Sequence, residues 1–562
     1  MFKNKIIDPK IHPEEIFMDS ENVSEFDTSQ FEGRLEKPIS KKTFAYFSAA
    51  LGLMALFFLV KLFYLQILEG DKFAQRSERN NLKQEIITPF RGIIYDRNKI
   101  KLAWNGENGR TYAPVSGLNH ILGYVSLPSK EDFQENRGIF ANMVIGKSGV
   151  EKKYESFLKG AAGVKLVEID SQQNIVSESV QTPPQDGKSL DLTIDSRIQS
   201  QFFNLIESIA KERDFKGGAG IIMNVKDGSI LSMVSWPEYD SQILSEGGPA
   251  EIIESFIKDK NKPFLNRAIA GLYAPGSVIK PLIAAAALNE GIISPQKQIF
   301  SSGSISIPNP FFKDKKSVFR DWKAHGWVDM RRALAVSSDV YFYEIGGGFE
   351  DIKGLGINKI EKYAEMFGFG KKTGIDIDGE MTGVIPAPEL KSKDNPNDPT
   401  WRIGDTYNTS IGQGYFLVTP IEIAVYAAAV ANGGEMVKPR LAGNAVNEED
   451  GKNDNDPQEG RVPISESYFR VIKEGMRMAV TEGTAQGLST PNVKIAAKTG
   501  TAETGGKIYT HSWVLGFFPY ENPKYAFTVV LEKGPAGNLI GAPYVMRQLL
   551  DWMAINTPEY FR

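Results

Sequence analysis

The sequence predicts an α+β protein tethered to a membrane by one helix near its N-terminus. Three observations lead there. Thr43–Val60 is an uncharged run of eighteen residues, close to the roughly 20 apolar residues that cross a bilayer core. Gly220–Ser235 places short apolar runs on either side of an Asp-Gly pair, the pattern of two strands around a tight turn. Three more strand-like runs, Val493–Ala497, Trp513–Phe518 and Tyr525–Leu531, gather near the C-terminus, with helical spacing between. A sheet that joins early and late strands, with helices interposed, is an α+β architecture.

Taken in order, the first 42 residues are acid-rich (Glu14, Glu15, Asp19, Glu21, Glu25, Asp27) and hold little to bury, so a flexible tail is expected. The apolar run is followed by Lys61 and bulky residues rather than a small-residue cleavage site, which makes 43–68 an uncleaved anchor. Basic residues flank it on both sides (Arg34, Lys37, Lys41, Lys42; Lys61, Lys72, Arg76, Arg79), so charge alone does not orient it. Residues 69–190 alternate short apolar runs with Gly and Pro, ending in the linker-like Gln181–Gly187. Residues 191–562 form the main domain: a helix over Asp195–Lys211, a small-residue helix over Pro281–Leu288, a surface loop over Asn447–Pro463 and a closing helix over Tyr544–Ala554.

Composition narrows the chemistry. The 562 residues are 41% hydrophobic and 24% charged, which is globular usage. Lys plus Arg (65) against Asp plus Glu (69) leaves no basic excess for nucleic acid. Without cysteine there is no disulfide, thiolate metal site or thiol nucleophile, and four histidines leave little for zinc. Neither His-Glu-x-x-His nor a Gly-rich phosphate loop occurs. Ser, Lys, Asp, Glu and backbone groups remain.

A Ser followed three residues later by Lys puts hydroxyl and amine on one helix face, where a neutral amine can take the Ser proton. The spacing occurs at Ser156/Lys159, Ser255/Lys258, Ser277/Lys280 and Ser294/Lys297. Context favours Ser277. The turn Tyr273-Ala-Pro-Gly276 delivers it to a helix start, and the Ala/Leu-rich helix beyond argues for a buried, uncharged Lys280. The other three lie in charged segments. Lys-Thr-Gly occurs twice. Lys372–Gly374 reads as a turn, whereas Lys498–Gly500 ends an apolar strand whose edge and hydroxyls suit a carboxylate. Lys498 beside Lys280 would push one amine toward neutrality. Ser337-Ser-Asp339 reads locally as a helix cap or as a third catalytic element. Asp321 and His325 are weighed as a structural hydrogen bond against a metal pair, and the hydrogen bond is preferred.

In this order, Ser277-Val-Ile-Lys280, Ser337-Ser-Asp339 and Lys498-Thr-Gly500 resemble the triad of the penicillin-binding protein and serine β-lactamase superfamily. Leu265–Gly276, Gly404–Gly414, Thr419-Pro420 and Ala431–Gly434 resemble its core segments. Arg91–Asn98 and Gly149–Glu151 resemble the non-catalytic pedestal of its class B members. Asp339 in place of Asn, with Arg320-Asp-Trp322, is similar to the elongation-specific branch.

The resemblance implies a β-lactamase-like antiparallel sheet flanked by helices and a peptidoglycan D,D-transpeptidase acting in cell elongation, without metal or cofactor. It implies that Ser277 attacks the penultimate D-Ala of a stem peptide ending in D-Ala-D-Ala, that β-lactams acylate the same hydroxyl, and that Lys280 is the base. Ser337 relays a proton under the influence of Lys498, and Asp339 completes the motif. Thr499, Gly500 and Thr501 bind the substrate, with the Ser277 and Thr501 amides as oxyanion hole. Implied partners are the glycosyltransferase RodA, the scaffold MreC and the membrane. The implied location is the inner (cytoplasmic) membrane, single-pass, with the catalytic domain extracytoplasmic and residues 1–42 cytoplasmic. A D,D-carboxypeptidase or a non-catalytic penicillin-binding scaffold is the alternative.

Overall fold

The computed structural model describes residues 41–135, 140–169, 172, 174–312, 314–443, 460–504, 508–538 and 540–561. The tail before Lys41 and most of the Asn447–Pro463 stretch lie outside the described residues. Two compact units are formed: Met1–Glu85 with Val164–Gln181, and Ile86–Gly163 with Thr182–Arg562.

In the first unit, helix α1 (Lys41–Phe63) runs into a π-type turn, Tyr64–Leu68. The 28 residues bury no side chain. At 1.5 Å per residue they span about 42 Å, more than the roughly 30 Å hydrocarbon core. None of the described residues covers this apolar surface, which suits it to lipid. A three-stranded sheet completes the unit in the order Leu82–Ile87, Gly163–Ile169, Ile175–Thr182, the last strand exposed throughout.

In the second unit a five-stranded antiparallel sheet forms from β1 (Gly217–Asn224), β2 (Ile230–Trp236), β3 (Ala496–Thr504), β4 (Tyr509–Phe518) and β5 (Tyr525–Pro535), in the order β2-β1-β5-β4-β3. Successive side chains point to opposite faces. Ala219, Ile221, Met223, Trp513, Leu515 and Phe517 pack with two buried, mainly apolar helices, Lys280–Asn289 and Pro420–Asn432. Ile222, Val514, Phe527, Val529 and Leu531 pack on the other side with helices Ser196–Glu212 and Ala542–Asn556. With both faces covered, the strands read as continuous apolar runs rather than alternating ones. Thr419 and Glu422 form a capping box around Pro420, which starts the buried Pro420–Asn432 helix at a fixed point.

Two expectations need correction. The strand anticipated at Val493–Ala497 begins at Ala496 and continues to Thr504, so Lys498-Thr-Gly500 sits inside it rather than at its end. Apolar residues mark only its buried start; its remainder is an outer strand with polar residues. Gln181–Gly187 is not a free linker either. Ala161 and Gln185 exchange backbone hydrogen bonds, and the Gly187 N–H donates to Phe90 O.

The two pedestal motifs meet in one buried ion cluster. Glu151 accepts from Arg91 Nε at 2.6 Å and from Arg110 Nε at 2.7 Å, and Arg91 Nη2 also reaches Glu155 at 2.7 Å. Glu151 is fully buried. Removing one member of such a cluster strands the others without compensation. Glu151→Ala is therefore expected to lower unfolding stability by about 3–5 kcal/mol, read by denaturant titration. A loss below about 1 kcal/mol, the range of exposed pairs, would contradict the cluster's burial.

Candidate active site

The Ser277 turn is held from three directions. Tyr273 and Val418 exchange backbone hydrogen bonds, Trp513 Nε1 donates to Ala274 O at 3.1 Å, and Gly276 N donates to Gly412 O at 2.8 Å. A single 3₁₀ turn, Gly276–Ile279, then hands the chain to the helix starting at Lys280. Pro281 falls in that helix's first turn, where its missing N–H has no intrahelical partner to lose.

Gly276 has φ +57°, and a Cβ there would lie 2.7 Å from Thr501 O. At Gly500 a Cβ would lie 3.0 Å from Pro275 O. Strand β3 thus rests directly on the nucleophile turn. In a paired strand the N–H and C=O of one residue face the same edge. Since Thr501 O faces Gly276, its N–H faces the same turn. Together with the Ser277 N–H, which a helix start leaves without an intrahelical partner, it makes a pair of backbone donors at that turn.

Ser337-Ser-Asp339 lies between helices Met330–Val336 and Asp339–Gly347. Both local readings of the motif hold, for different residues. Ser338 is the N-cap, accepting from Tyr341 N, while Ser337 sits in the left-handed region at φ 58°, ψ 40°. That conformation turns the Ser337 carbonyl and hydroxyl toward the same amine. Lys280 Nζ lies 2.8 Å from Ser337 O, 3.2 Å from Ser337 Oγ and 2.6 Å from Asp339 Oδ1. Lys498 Nζ lies 2.8 Å from Ser337 Oγ on the other side and 2.9 Å from Thr499 O.

The contacts fit one arrangement of hydrogens. The three acceptors around Lys280 match the three N–H of an ammonium, and the Phe342 ring lies 5.2 Å away. Ser337 Oγ accepts from Lys280, which leaves its own O–H to point at Lys498. A neutral Lys498 amine accepts that O–H and donates to Thr499 O. Burial first, then the Lys280 charge, hold the Lys498 amine well below its usual 10.5, with Asp339 opposing. Lys280, expected to be the uncharged amine, lies 2.6 Å from the Asp339 carboxylate, and the amine that burial and then like-charge repulsion push toward neutrality is Lys498. None of the three partners of Lys280 is Ser277. Such contacts are often long without substrate and tighten when it binds.

The remaining expected residues are distributed along β3. Thr499 Oγ1 donates to Thr484 Oγ1 at 2.9 Å, Gly500 is buried against the turn, and the Thr501 side chain is exposed. Thr484, on the loop after helix Glu466–Glu482, was missed because nothing local distinguishes it. The decoy serines Ser156, Ser255 and Ser294 are exposed, and Lys372–Gly374 is a loop in which Thr373 bonds Glu380. His325 Nε2 lies 3.4 Å from Asp321 Oδ1, and burial holds its imidazole below the usual 6.5.

Comparison with known proteins agrees with this geometry. The family model described as the penicillin binding protein transpeptidase domain matches residues 218–551, and that of the penicillin-binding protein dimerisation domain matches residues 103–192. The peptidoglycan D,D-transpeptidase MrdA of Haemophilus influenzae is 32% identical, covering 86% of this chain and 75% of that protein. Penicillin-binding protein 2 of Helicobacter pylori, solved with MreC, is 26% identical with a TM-score of 0.71, over 85% of this chain and 99% of that one. Penicillin-binding protein 2 of Pseudomonas aeruginosa, solved with WCK 5153, is 30% identical with a TM-score of 0.67, over 84% and 97%.

In the unfolded chain Lys498 carries its proton below about pH 10.5, so folding at neutral pH releases it at a cost that shrinks as pH rises. Lys498→Met bears no such cost. The stability of the parent relative to Lys498→Met is therefore expected to rise between about pH 7 and pH 10, measured by denaturant unfolding. A pH-independent difference would place the proton on Lys498 in the folded state.

Proposed function

Because the chain belongs to the penicillin-binding protein family of transpeptidases and is a class B peptidoglycan D,D-transpeptidase, we propose that it works through an acyl-enzyme on Ser277. The observation that carries this reading is one hydroxyl, Ser337 Oγ, held between two lysine amines at 3.2 and 2.8 Å. Lys280 passes a proton through Ser337 Oγ to the neutral Lys498 amine, and the lone pair this frees on Lys280 takes the Ser277 proton as Oγ attacks the penultimate D-Ala carbonyl. When the C–N bond breaks, the chain runs backward and the proton reaches the departing D-Ala nitrogen. A side-chain amine of a neighbouring stem peptide then takes the acyl group and restores Ser277. Each amide donor to the oxyanion is worth roughly 10²–10³ in rate, and a positioned base about 10²–10⁴.

Thr499 and Thr501, with Gly500 between them, receive the terminal carboxylate along β3. Asp339 holds Lys280 charged and oriented between turns of the relay. β-Lactams resemble the D-Ala-D-Ala end and acylate Ser277. No metal or cofactor enters any step.

The chain is anchored in a membrane by one span. Residues 43–68 serve as the anchor, 69–190 as the pedestal and 191–562 as the transpeptidase domain. The catalytic domain lies outside the cytoplasm, against the cell wall, and residues 1–42 inside. The anchor and pedestal meet RodA, which polymerises the strands to be joined; MreC is a further partner, as the complex of Helicobacter pylori penicillin-binding protein 2 with MreC supports.

Fluorescent penicillin is expected to label the parent chain and Ser294→Ala but not Ser277→Ala, read on a denaturing gel; an adduct surviving in Ser277→Ala would move the nucleophile elsewhere. With strands polymerised by RodA, cross-linked dimers are expected by chromatography of digested product. Release of D-Ala without dimers would mark a carboxypeptidase.

A further inference from the structure

Arg320-Asp-Trp322 marks the family branch, yet neither Asp321 nor Trp322 has a part in the acyl transfer derived above. Their contacts converge on the catalytic loop from both sides. Trp322 Nε1 donates to the carbonyl of Val336, the residue before Ser337, at 3.2 Å. Asp321 Oδ2 accepts from Ser338 Oγ at 2.8 Å and from Val340 N at 3.0 Å, both just beyond Ser337. Ser301 Oγ adds a third bond to the same oxygen at 3.2 Å. The other oxygen, Oδ1, accepts from Trp322 N at 2.8 Å and faces His325 Nε2 at 3.4 Å. Trp322 and His325 stack edge to face, with ring centroids 5.0 Å apart.

Two consecutive residues thus grip the chain immediately before and after a serine in the left-handed region. That conformation is costly for a residue with a Cβ and persists only where its surroundings enforce it. It also aims both the Ser337 carbonyl and hydroxyl at Lys280. Were Ser337 to relax toward ordinary helical or extended backbone, one of the two contacts would be lost and the chain from Lys280 to Lys498 would open. The Trp322 ring is largely exposed, at 57%, so its bond to Val336 O is not a by-product of core packing. Asp321, by contrast, is buried, and its four donors all come from the catalytic loop or from the short segments supporting it.

We propose that Asp321 and Trp322 are positioning residues for the acyl transfer, a two-sided clamp that holds Ser337 left-handed between the two lysines. The proposal rests on Ser337 being the proton relay of a Ser277 acyl-enzyme. His325 backs the clamp by packing on the Trp322 ring and facing the free side of the Asp321 carboxylate.

The test uses the full chain and a chromogenic β-lactam, separating the half-saturation concentration from the limiting acylation rate. Trp322→Phe keeps the ring and removes only the donor; Asp321→Asn and Ser338→Ala loosen the other side. Trp327→Phe, an exposed tryptophan on strand Gly326–Val328, is the control. Misplacement of a catalytic group by about 1 Å costs on the order of 10²-fold. The expected result is a limiting rate lowered roughly tenfold or more in each clamp variant, with half-saturation within about twofold of the parent. Trp322→Phe combined with Asp321→Asn should fall short of the product of the single effects, since both act on one residue. Thermal unfolding accompanies each variant; if Asp321→Asn fails to fold, Trp322→Phe decides alone. Clamp variants that fold and acylate at the parental limiting rate, or that change only half-saturation, would overturn the proposal. A parent chain that is not acylated at Ser277 would instead remove the reading beneath it.

Discussion

Two lysine side chains, Lys280 and Lys498, share one pocket with no solvent exposure at either. Two buried ammonium groups with one carboxylate between them are not sustainable, because each uncompensated charge costs several kcal/mol in a dry interior. Asp339 compensates one. The other amine, on Lys498, is pushed toward giving up its proton, and in the proposed mechanism its lone pair drives the relay. The pocket is made dry by the elements around it. The helix beginning at Lys280 is buried along nearly its whole length, and β3 brings Lys498 in from the outer strand of the sheet.

Position matters as much as charge. The hydroxyl joining the amines belongs to a residue whose backbone conformation is unusual, and the nucleophile turn carries a glycine at positive φ where the strand leaves no room for a side chain. Segments far apart in sequence fix these two points: Tyr273 with Val418, Gly276 with Gly412, Trp513 with Ala274. The core segments around residues 404–414 and 419–420 therefore act through the backbone they hold.

Much of this was legible in the chain. Ser277 stood apart from three decoys because a Pro-Gly turn and an apolar helix surround it, and the structure leaves the decoys on the surface. The sheet was legible because burial on both faces demands unbroken apolar runs, and the anchor because a bilayer demands an apolar surface all round. The end of β3 was placed too early because apolarity stops where an outer strand turns polar. The contact between Lys280 and Asp339 was not legible because Asp339 is distant in sequence, and only the fold brings its carboxylate to 2.6 Å from the amine. Thr484 and the Asp321–Trp322 pair escaped for the same reason. What they do depends on which distant atoms the fold sets beside them, and residue type alone does not reveal that.

The central claim is a placement of protons: an ammonium on Lys280, a free amine on Lys498, and the Ser337 hydroxyl hydrogen pointing from one toward the other. Neutron diffraction from a deuterium-exchanged crystal without ligand at neutral pH observes it directly. The account predicts three deuterons on Lys280 Nζ, two on Lys498 Nζ, and the Ser337 deuteron on the line to Lys498. Three deuterons on both nitrogens, or the free amine on Lys280, would contradict it.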